Sequence, residues 1–444
     1  MYPINIENFV TEKELEITFD RLFPIPRSIT GEGFKKSLQI LGEIVDLNVI
    51  KVKTGSKVLD WTVPNEWNIK NAFLLNSKGK KIIDFNDNSL HVVSYSQPIN
   101  KIVFYKELVE KLHTIKKLPN AIPYVTSYYH KTWGLCMSHN QFKKLKKKDK
   151  YKVVINSSLK KGFLVYSDKK IFGKSNKEIL LYTYLCHPQM ANNELSGPLV
   201  WSYLYKILKS TSPHYFTYRF VCAPENIGAA CFLQKNKKNI KNIIAGYIIH
   251  CVGKDGIISL KKSRLGDTLA DRAAQNVLRN SKYKFKEIDF FADGGDERQF
   301  CSPGFNMPIA SIMRKMFGEY KEYHTSLDNK KFISFKVILD TIKIYHEVLL
   351  TIESNFVPYG RVQYGTPQLS KSKIDLYPKI MDSEVRYKKK WVKFMLEILN
   401  LADGKMDLID ICNKNKVKLT DYLILFNKLI KSGYLKKNDN KKIK

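Results

Sequence analysis

The sequence predicts an α/β protein with a mainly parallel sheet flanked by helices. From Glu178 onward, apolar runs of strand length alternate with segments of helical periodicity. The run Ile179 to Cys186 is continuous and apolar, which is typical of a strand covered on both faces. Polar loops follow several of these strands, at the edge where a parallel sheet places its functional groups.

The first 50 residues predict two helices joined by a rigid loop. The pattern from Ile6 to Leu22 is helical, Pro and Gly residues interrupt it between Pro24 and Gly33, and an amphipathic run follows to Val49. Short apolar alternations rich in Trp and Tyr then extend to Ile171, as expected of a small β-rich domain. Since the two helices precede this segment, we expect it to be an insertion in one α/β domain.

The remaining elements follow in alternation along the chain. We predict strands at 179–186, 215–223, 243–252, 284–290 and 307–313, and helices at 198–209, 229–235, 269–280 and 335–353. Beyond Pro358, three short helical patterns at 388–401, 406–413 and 419–431 precede a Ser-Gly cap and a short strand, an order that suggests a winged helix. The predicted domains are therefore 1–50 with 175–358, the insert 51–174, and the linker and winged helix 359–444.

The charge of the chain is strongly basic. The 444 residues hold 75 Lys and Arg against 42 Asp and Glu, a net charge of +33, while 44% of the residues are hydrophobic. That apolar content excludes global disorder, and lysine-rich coding bias explains the charge better than sequence-specific DNA reading, which favours Arg. The chain has no apolar stretch long enough to span a membrane, and its seven cysteines are scattered. We therefore expect a cytoplasmic protein without a membrane span.

Four loop clusters carry the candidate chemistry. They are Cys186 to Gly197, Ala223 to Gly228, Asp293 to Phe300 and Tyr320 to Asp328. Together they bring histidines and carboxylates to one rim of the sheet, the composition expected of a zinc site with a carboxylate base.

The order of these clusters along the chain and the residues in them resemble those of the zinc aminopeptidases of the leucyl-aminopeptidase and glutamate carboxypeptidase type. More specifically, the chain resembles an aminopeptidase-like bacterial family with an inserted small domain and a C-terminal winged helix, often linked to surface-polysaccharide genes. The motifs that match are 27–33, 60–64, 66–67, 94–96, 187–188, 296–298 and 323–328. The resemblance implies a zinc-exopeptidase-like fold and a metal-dependent hydrolase.

Carried onto this chain, the resemblance makes His187 the first metal ligand, His324 the last, and Glu225 a ligand or the general base. Asp296 or His250 is a further candidate ligand. The chain departs from the pattern at Gln189, Asn192 and Pro224, where acidic residues are expected. A neutral amide cannot bridge two cations as a carboxylate does, so we expect one zinc ion in place of two.

The residues also suggest roles around such an ion. Glu225 or Glu297 would move the proton. Arg27, Arg298 and Arg314 are candidates to clamp a carboxylate or phosphate of the substrate, although each would equally suit a structural ion pair. Asn192 completes the candidate substrate-binding residues.

These observations leave three functions open. The first is a zinc-dependent hydrolase of a peptide or amide bond in a small, sugar-linked or peptide substrate. The second is a non-catalytic ligand-binding or regulatory protein on a degenerate peptidase fold. The third is nucleic-acid binding through the winged helix and the basic tail, whose predicted recognition helix 419–431 is largely apolar and would equally serve protein contacts or a homo-oligomer.

Overall fold

The structure is a computed structural model of the chain that describes residues 4–371 and 386–437. Within these ranges it contains helices and strands in the alternation that the sequence predicts. The helices are α1 (Glu12–Leu22), α2 (Glu32–Leu41), α3 (Tyr105–Glu110), α4 (His139–Phe142), α5 (Ser196–Ser210), α6 (Ile227–Asn236), α7 (Leu269–Arg279), α8 (Glu297–Phe300), α9 (Phe335–Glu353), α10 (Arg386–Leu401), α11 (Leu408–Lys414) and α12 (Leu423–Lys431).

The strands divide between one large sheet and several smaller ones. They are β1 (Val49–Lys53), β2 (Lys57–Val58), β3 (Trp61–Thr62), β4 (Glu66–Leu75), β5 (Lys81–Asp84), β6 (Ile99–Phe104), β7 (Leu112–His113), β8 (Leu135–Cys136), β9 (Lys150–Lys160), β10 (Phe163–Ile171), β11 (Glu178–Tyr184), β12 (Thr217–Ala223), β13 (Ile243–Ile248), β14 (Ile258–Lys261), β15 (Phe285–Ile288), β16 (Ile309–Met313), β17 (Pro358–Gly360) and β18 (Leu435–Lys437).

The large sheet has eight strands in the order β1-β10-β12-β11-β13-β16-β14-β15. Its central strands β12, β11, β13 and β16 run parallel. Strands β1 and β10 pair antiparallel with their neighbours, whereas β14 is antiparallel to β16 and parallel to β15. Every residue of β11 and β12 is buried, as their continuous apolar runs require. The α/β prediction with a mainly parallel sheet is confirmed.

Helices cover both faces of this sheet. Helices α1, α5, α7 and α9 pack against one another, and α6 packs against α8 and β10. The longest, α9, begins at Ser334, whose hydroxyl accepts the amide hydrogen of Val337, and most of its side chains are buried. This layered core fixes the carboxyl ends of the parallel strands, where the candidate site lies.

The insert is built on a second sheet with the order β5-β4-β9-β6. Its own hydrophobic core includes Leu74, Val103, Tyr151 and Val153. Strands β1 and β10 fall mostly inside the predicted insert 51–174, yet they pair with the large sheet. The boundary predicted from the change in pattern therefore differs from the strand pairing, because the pattern of a strand does not tell which of two sheets the strand joins. The division into three domains remains our proposal.

The C-terminal part forms the helices and terminal hairpin expected of a winged helix. Strand β17 precedes α10 and pairs antiparallel with β18, which follows α12. Helix α11 packs on α7 of the α/β part. The basic tail 438–444 lies outside the described residues. None of the described helices is long and apolar enough to cross a membrane.

Candidate functional site

His187 lies in the loop after β11 and is held by one carboxylate. Its Nδ1 is 2.7 Å from Oε2 of Glu194, and its amide donates to Oε1 of the same residue at 2.9 Å. The Cys186 amide also donates to Oε1. Because Nδ1 is engaged, Nε2 is the ring atom left for a ligand, and it lies 3.5 Å from Oε2 of Glu225.

Burial lowers the pKa of His187, but the acidic groups around the ring, Tyr124 and Glu194 among them, raise it well above its ordinary value. Binding of a cation at Nε2 would therefore displace a proton. Gln189, at the position where the resemblance expects an orienting Asp, instead accepts the backbone amide of Ser89 in the insert. Glu194 supplies the orienting carboxylate that Gln189 does not.

Glu225 lies in the turn between β12 and α6. The turn is held from below, since the amide of Asn226 donates to Oδ1 of Asp296 at 2.6 Å and Asn226 adopts a positive φ of 60°. Burial raises the pKa of Glu225 above its ordinary value, against the opposing charge of His187. Its side chain keeps 18% of its surface exposed, so Glu225 can still reach a metal ion or a substrate.

His324 completes the cluster from the loop before α9. Its ring centroid is 5.2 Å from that of His187, and the ring of Tyr323 stacks on it at 3.9 Å. Burial and the nearby His187 charge lower the pKa of His324 to about 3. The ring is therefore neutral near physiological pH, which is the form that binds metals.

The insert closes over these histidines, an arrangement that the sequence did not reveal. The Tyr124 amide donates to the carbonyl oxygen of His324 at 2.9 Å, and its ring lies 5.0 Å from that of His187. The Tyr124 and Tyr128 hydroxyls are 2.9 Å apart. Tyr128 and Glu225 line a cavity of about 90 Å³ together with Trp61, Tyr129, Ile29, Asn226 and Ile227. No motif in the sequence connects these tyrosines with the site, because they are separated along the chain from every loop of the α/β part.

Glu297 and Asp296, adjacent in sequence, occupy different surroundings. Glu297 is buried beside His250 at 3.3 Å and the ammonium of Lys261 at 3.7 Å, and Ser311 donates to it. Although burial opposes ionisation, these partners lower the pKa of Glu297 to about 2. The structure therefore differs from the expectation that Glu297 moves protons, because a carboxylate so firmly ionised is a poor base.

Asp296 lies beneath Glu225 and differs from Glu297 in its ionisation. Burial, together with the charge of Glu225, raises the pKa of Asp296 to about 8. The two carboxyl groups are therefore near enough for the charge of one to oppose ionisation of the other.

Asn192 is occupied by the backbone, which differs from the expectation that it binds substrate. Its Oδ1 accepts the amides of Gly253 and Lys254, both at 2.9 Å, and its Nδ2 donates to the carbonyl of Lys315. The side chain thus joins two loops at the sheet edge. Asp328 holds the same segment, since its carboxylate accepts the amides of Asn192 and Asn193.

The predicted arginines separate into one accessible and two buried residues. Arg298 is 36% exposed and donates from Nε to Oδ1 of Asn226 at 2.9 Å, so it borders the Glu225 turn. Arg27 is buried behind His187, donating to the carbonyls of His187 and Leu22. Arg314 is buried against the ring of Tyr283 and pairs with Asp255 at 3.2 Å. Nη2 of Arg27 and Nε and Nη1 of Arg314 have no hydrogen-bond partner in the described part of the chain, so the role of both residues as substrate clamps stays a prediction.

His187 and Glu225 are spaced as two ligands of one zinc ion would be. Two donors on a tetrahedral zinc ion with bonds near 2.1 Å are about 3.4 Å apart, close to the separation of His187 Nε2 and Glu225 Oε2. Among the described residues, the three whose ligand atoms all lie within 4.8 Å of one another are Cys186, His187 and Glu194, so His324 would have to approach the other two donors to complete a zinc site. The Cys186 triple itself fits poorly, because Glu194 already binds Nδ1 of His187 and burial raises the pKa of the Cys186 thiol to about 12.

Three comparisons place the chain among known proteins. A Clostridium acetobutylicum protein described as a candidate polysaccharide biosynthesis protein with an aminopeptidase-like domain is 42% identical over 405 residues, 91% of this chain and 92% of that one. The crystal structure of a candidate peptidase from the same organism is 39% identical, covers 97% of this chain and 98% of its own, and has a TM-score of 0.90.

More distant structures share the fold alone. BSAP, a zinc aminopeptidase from Bacillus subtilis, is 13% identical with a TM-score of 0.54, over 77% of this chain and 94% of its own. The aminopeptidase-like resemblance and the zinc-exopeptidase-like fold are thus confirmed. The winged helix is confirmed by a family model described as winged helix-turn-helix, which matches residues 357–437. Residues 17–355 match the model described as a domain of unknown function (DUF4910), and the chain therefore belongs to that family.

Proposed function

We propose that the protein is a zinc-dependent hydrolase of peptide or amide bonds. The observation that carries the proposal is that His187 lies near both Glu225 and His324: its Nε2 is 3.5 Å from the Glu225 carboxylate, and the centroids of the two imidazole rings are 5.2 Å apart. Three protein ligands leave a catalytic zinc an open position. The relative named for polysaccharide biosynthesis favours a substrate that carries a sugar.

A zinc ion bound there would polarise the scissile carbonyl and activate water. The chain's own groups orient and shield the reactants. Glu194 fixes the His187 ring, and Asp296 holds the turn that presents Glu225 to the cavity. Tyr128, whose hydroxyl is 2.9 Å from that of Tyr124, lines the same cavity as Glu225, where its hydroxyl could donate to a substrate oxygen.

Metal content tests the proposal. Protein purified without chelator or affinity metal should contain about one zinc per chain by elemental analysis, and His324→Ala should contain none. Glu225→Gln separates its two candidate roles: loss of zinc identifies a ligand, and zinc retained with activity lost identifies the base. A screen over aminoacyl and amino-sugar amides would follow. Wild-type protein without zinc after incubation with the metal would contradict the proposal.

Ligand binding without a metal is the second candidate, and one observation favours it. Asn192 occupies the place where a bridging carboxylate is expected, and backbone amides saturate its Oδ1. A metal-free protein that binds an amino sugar or a peptide, with affinity reduced in Tyr128→Phe, would support this function over hydrolysis.

Nucleic-acid binding by the winged helix is a separate proposal. Helix α11 is buried against α7, whereas Ile424 of α12 is 74% exposed and Asn427 and Lys431 share its outward face. Fluorescence anisotropy with duplex DNA tests it, and Asn427→Ala and Lys431→Ala should each weaken binding. If neither substitution changes the salt dependence of binding, DNA is attracted by the charge of another surface of the protein.

A further inference from the structure

The outward face of the insert sheet is apolar and basic. Residues paired across two antiparallel strands point to the same face of the sheet. On this face Phe104 and Ile102 of β6 lie beside Lys150 and Lys152 of β9. Leu75 of β4 lies on the other side of Lys152. Val103, Tyr151 and Val153, which point the other way, fill the insert core. We call the residues Phe73, Leu75, Ile102, Phe104, Lys150 and Lys152 the outer sheet face.

This face is open at the sheet edge. Ile102 is 60% exposed and Phe104 is 63% exposed, at alternate positions of the edge strand β6. The ammonium of Lys150 lies 5.1 Å from the centre of the Phe104 ring. Edge strands are normally protected from pairing by charges. Lysine alone would give that protection, so the exposed Ile102 and Phe104 require another explanation.

A lysine cluster lies at the end of the insert sheet, where β9 begins beside Phe104; the backbone of its Lys146 is hydrogen-bonded to the hydroxyl of Tyr151, a residue of the insert core. The turn that leads into β9 carries Lys143, Lys144, Lys146, Lys147 and Lys148, all exposed. Within the described part of the chain, none of these lysines, nor Lys150 or Lys152, has an ion-pair partner. With five lysines against the single Asp149 of the same turn, the cluster presents an excess of positive charge at the sheet end that carries the exposed Phe104.

We propose that the outer sheet face and the lysine cluster dock the protein on an anionic phospholipid bilayer. Lysine ammonium groups attract anionic headgroups, and apolar side chains beside them enter the boundary between headgroups and acyl chains. Aliphatic side chains such as Ile102 and Leu75 suit a lipid interface better than nucleic acid, whose bases stack on aromatic rings. The surface is independent of the proposed hydrolase site.

Vesicle co-sedimentation of the full chain tests the proposal. We expect binding to vesicles of equal phosphatidylglycerol and phosphatidylcholine, weakened by high salt, and little binding to phosphatidylcholine alone. The variant K146Q/K147Q/K148Q should lower the partition coefficient by about tenfold or more, since each lysine near the surface strengthens binding several-fold. The variant I102S/F104S should lower it as well, although it leaves the charge unchanged.

The control is K235Q/K237Q/K238Q, which removes the same charge from exposed positions at the end of α6 and should bind as the wild type does. Circular dichroism and thermal melting verify that each variant is folded. Absence of binding to the anionic vesicles, or equal binding by all variants, would overturn the proposal. Loss of binding to a short RNA oligonucleotide in the same variants, with vesicle binding unchanged, would assign the surface to nucleic acid instead.

Discussion

Glu194 and His187 form a buried carboxylate–imidazole pair at the centre of the candidate site, with Oε2 of Glu194 2.7 Å from Nδ1 of His187. The side chain of Glu194 has no exposed surface. Since both residues belong to the segment that joins β11 to α5, this segment sets the ring orientation of His187 in the protein without a ligand. Removing the carboxylate should therefore affect metal binding without removing a ligand.

We expect Glu194→Gln to weaken zinc binding by about 10- to 100-fold, as is usual when the partner of a metal-binding imidazole is lost. Competition with a chromophoric chelator measures the affinity. Glu297→Gln is the matched control, because Glu297 is equally buried but bound to His250 and Lys261. Equal weakening in the two variants would indicate a general electrostatic effect and would contradict the orienting role.

Gly197 provides a test of how closely α5 approaches the sheet. A Cβ atom at this position would lie 2.2 Å from the carbonyl oxygen of Ile249, so the helix must move to accept a side chain. We expect Gly197→Ala to lower the free energy of unfolding by about 1 to 3 kcal/mol, the usual cost of overpacking. Urea denaturation measures it, with Gly304→Ala as the control at a position with nothing within 4 Å. Equal stability of the two variants would show that α5 shifts at little cost.

The sequence predicted the parallel strands, whereas the roles of His187, Glu225 and His324 stay a prediction, and physical reasons explain what the sequence missed. Strand β11 has every residue buried, so its apolar run is unambiguous, and His187 follows it. Strand β14 is four residues long and ends at the buried Lys261, a residue type that normally indicates a solvated position. Tyr124 reaches the site only because the insert folds back onto the His324 loop, and no local pattern encodes such a long-range contact.

His346 of α9 is expected to make stability depend on pH. Burial, with a smaller contribution from His214, lowers its pKa to about 4, against 6.5 for the exposed group. A histidine with a lowered folded-state pKa is protonated first in the unfolded chain, so its contribution to stability is present above the unfolded pKa and is lost as the pH falls toward 4.

The expected loss between about pH 7 and about pH 5 is about 2 kcal/mol. Urea denaturation of the wild type and of His346→Gln at both pH values measures it, because glutamine does not titrate. A pH dependence that is the same in both proteins would assign the effect to other groups.

Arg272 should hold the winged helix on the α/β part of the chain. Its guanidinium donates to Oδ2 of Asp407 at 2.9 Å and also pairs with Asp410, both next to or within α11. The side chain of Asp407 is only 4% exposed, and it also accepts the amide of Asp410 and the side-chain amide of Asn355. Removing the cation leaves a buried carboxylate without its main partner.

We expect Arg272→Met to lower the free energy of unfolding of the winged helix by about 3 to 5 kcal/mol, the range found when one partner of a buried ion pair is lost. Limited proteolysis after residue 357 should then be faster, and calorimetry should show an earlier transition for this part of the chain. Arg279 lies on the same helix as Arg272 and forms an exposed ion pair with Glu287 of β15. Arg279→Met should therefore change the free energy of unfolding by less than about 1 kcal/mol. Similar effects of the two substitutions would mean that the apolar contacts between α7 and α11, and not the Arg272 pair, hold the two parts together.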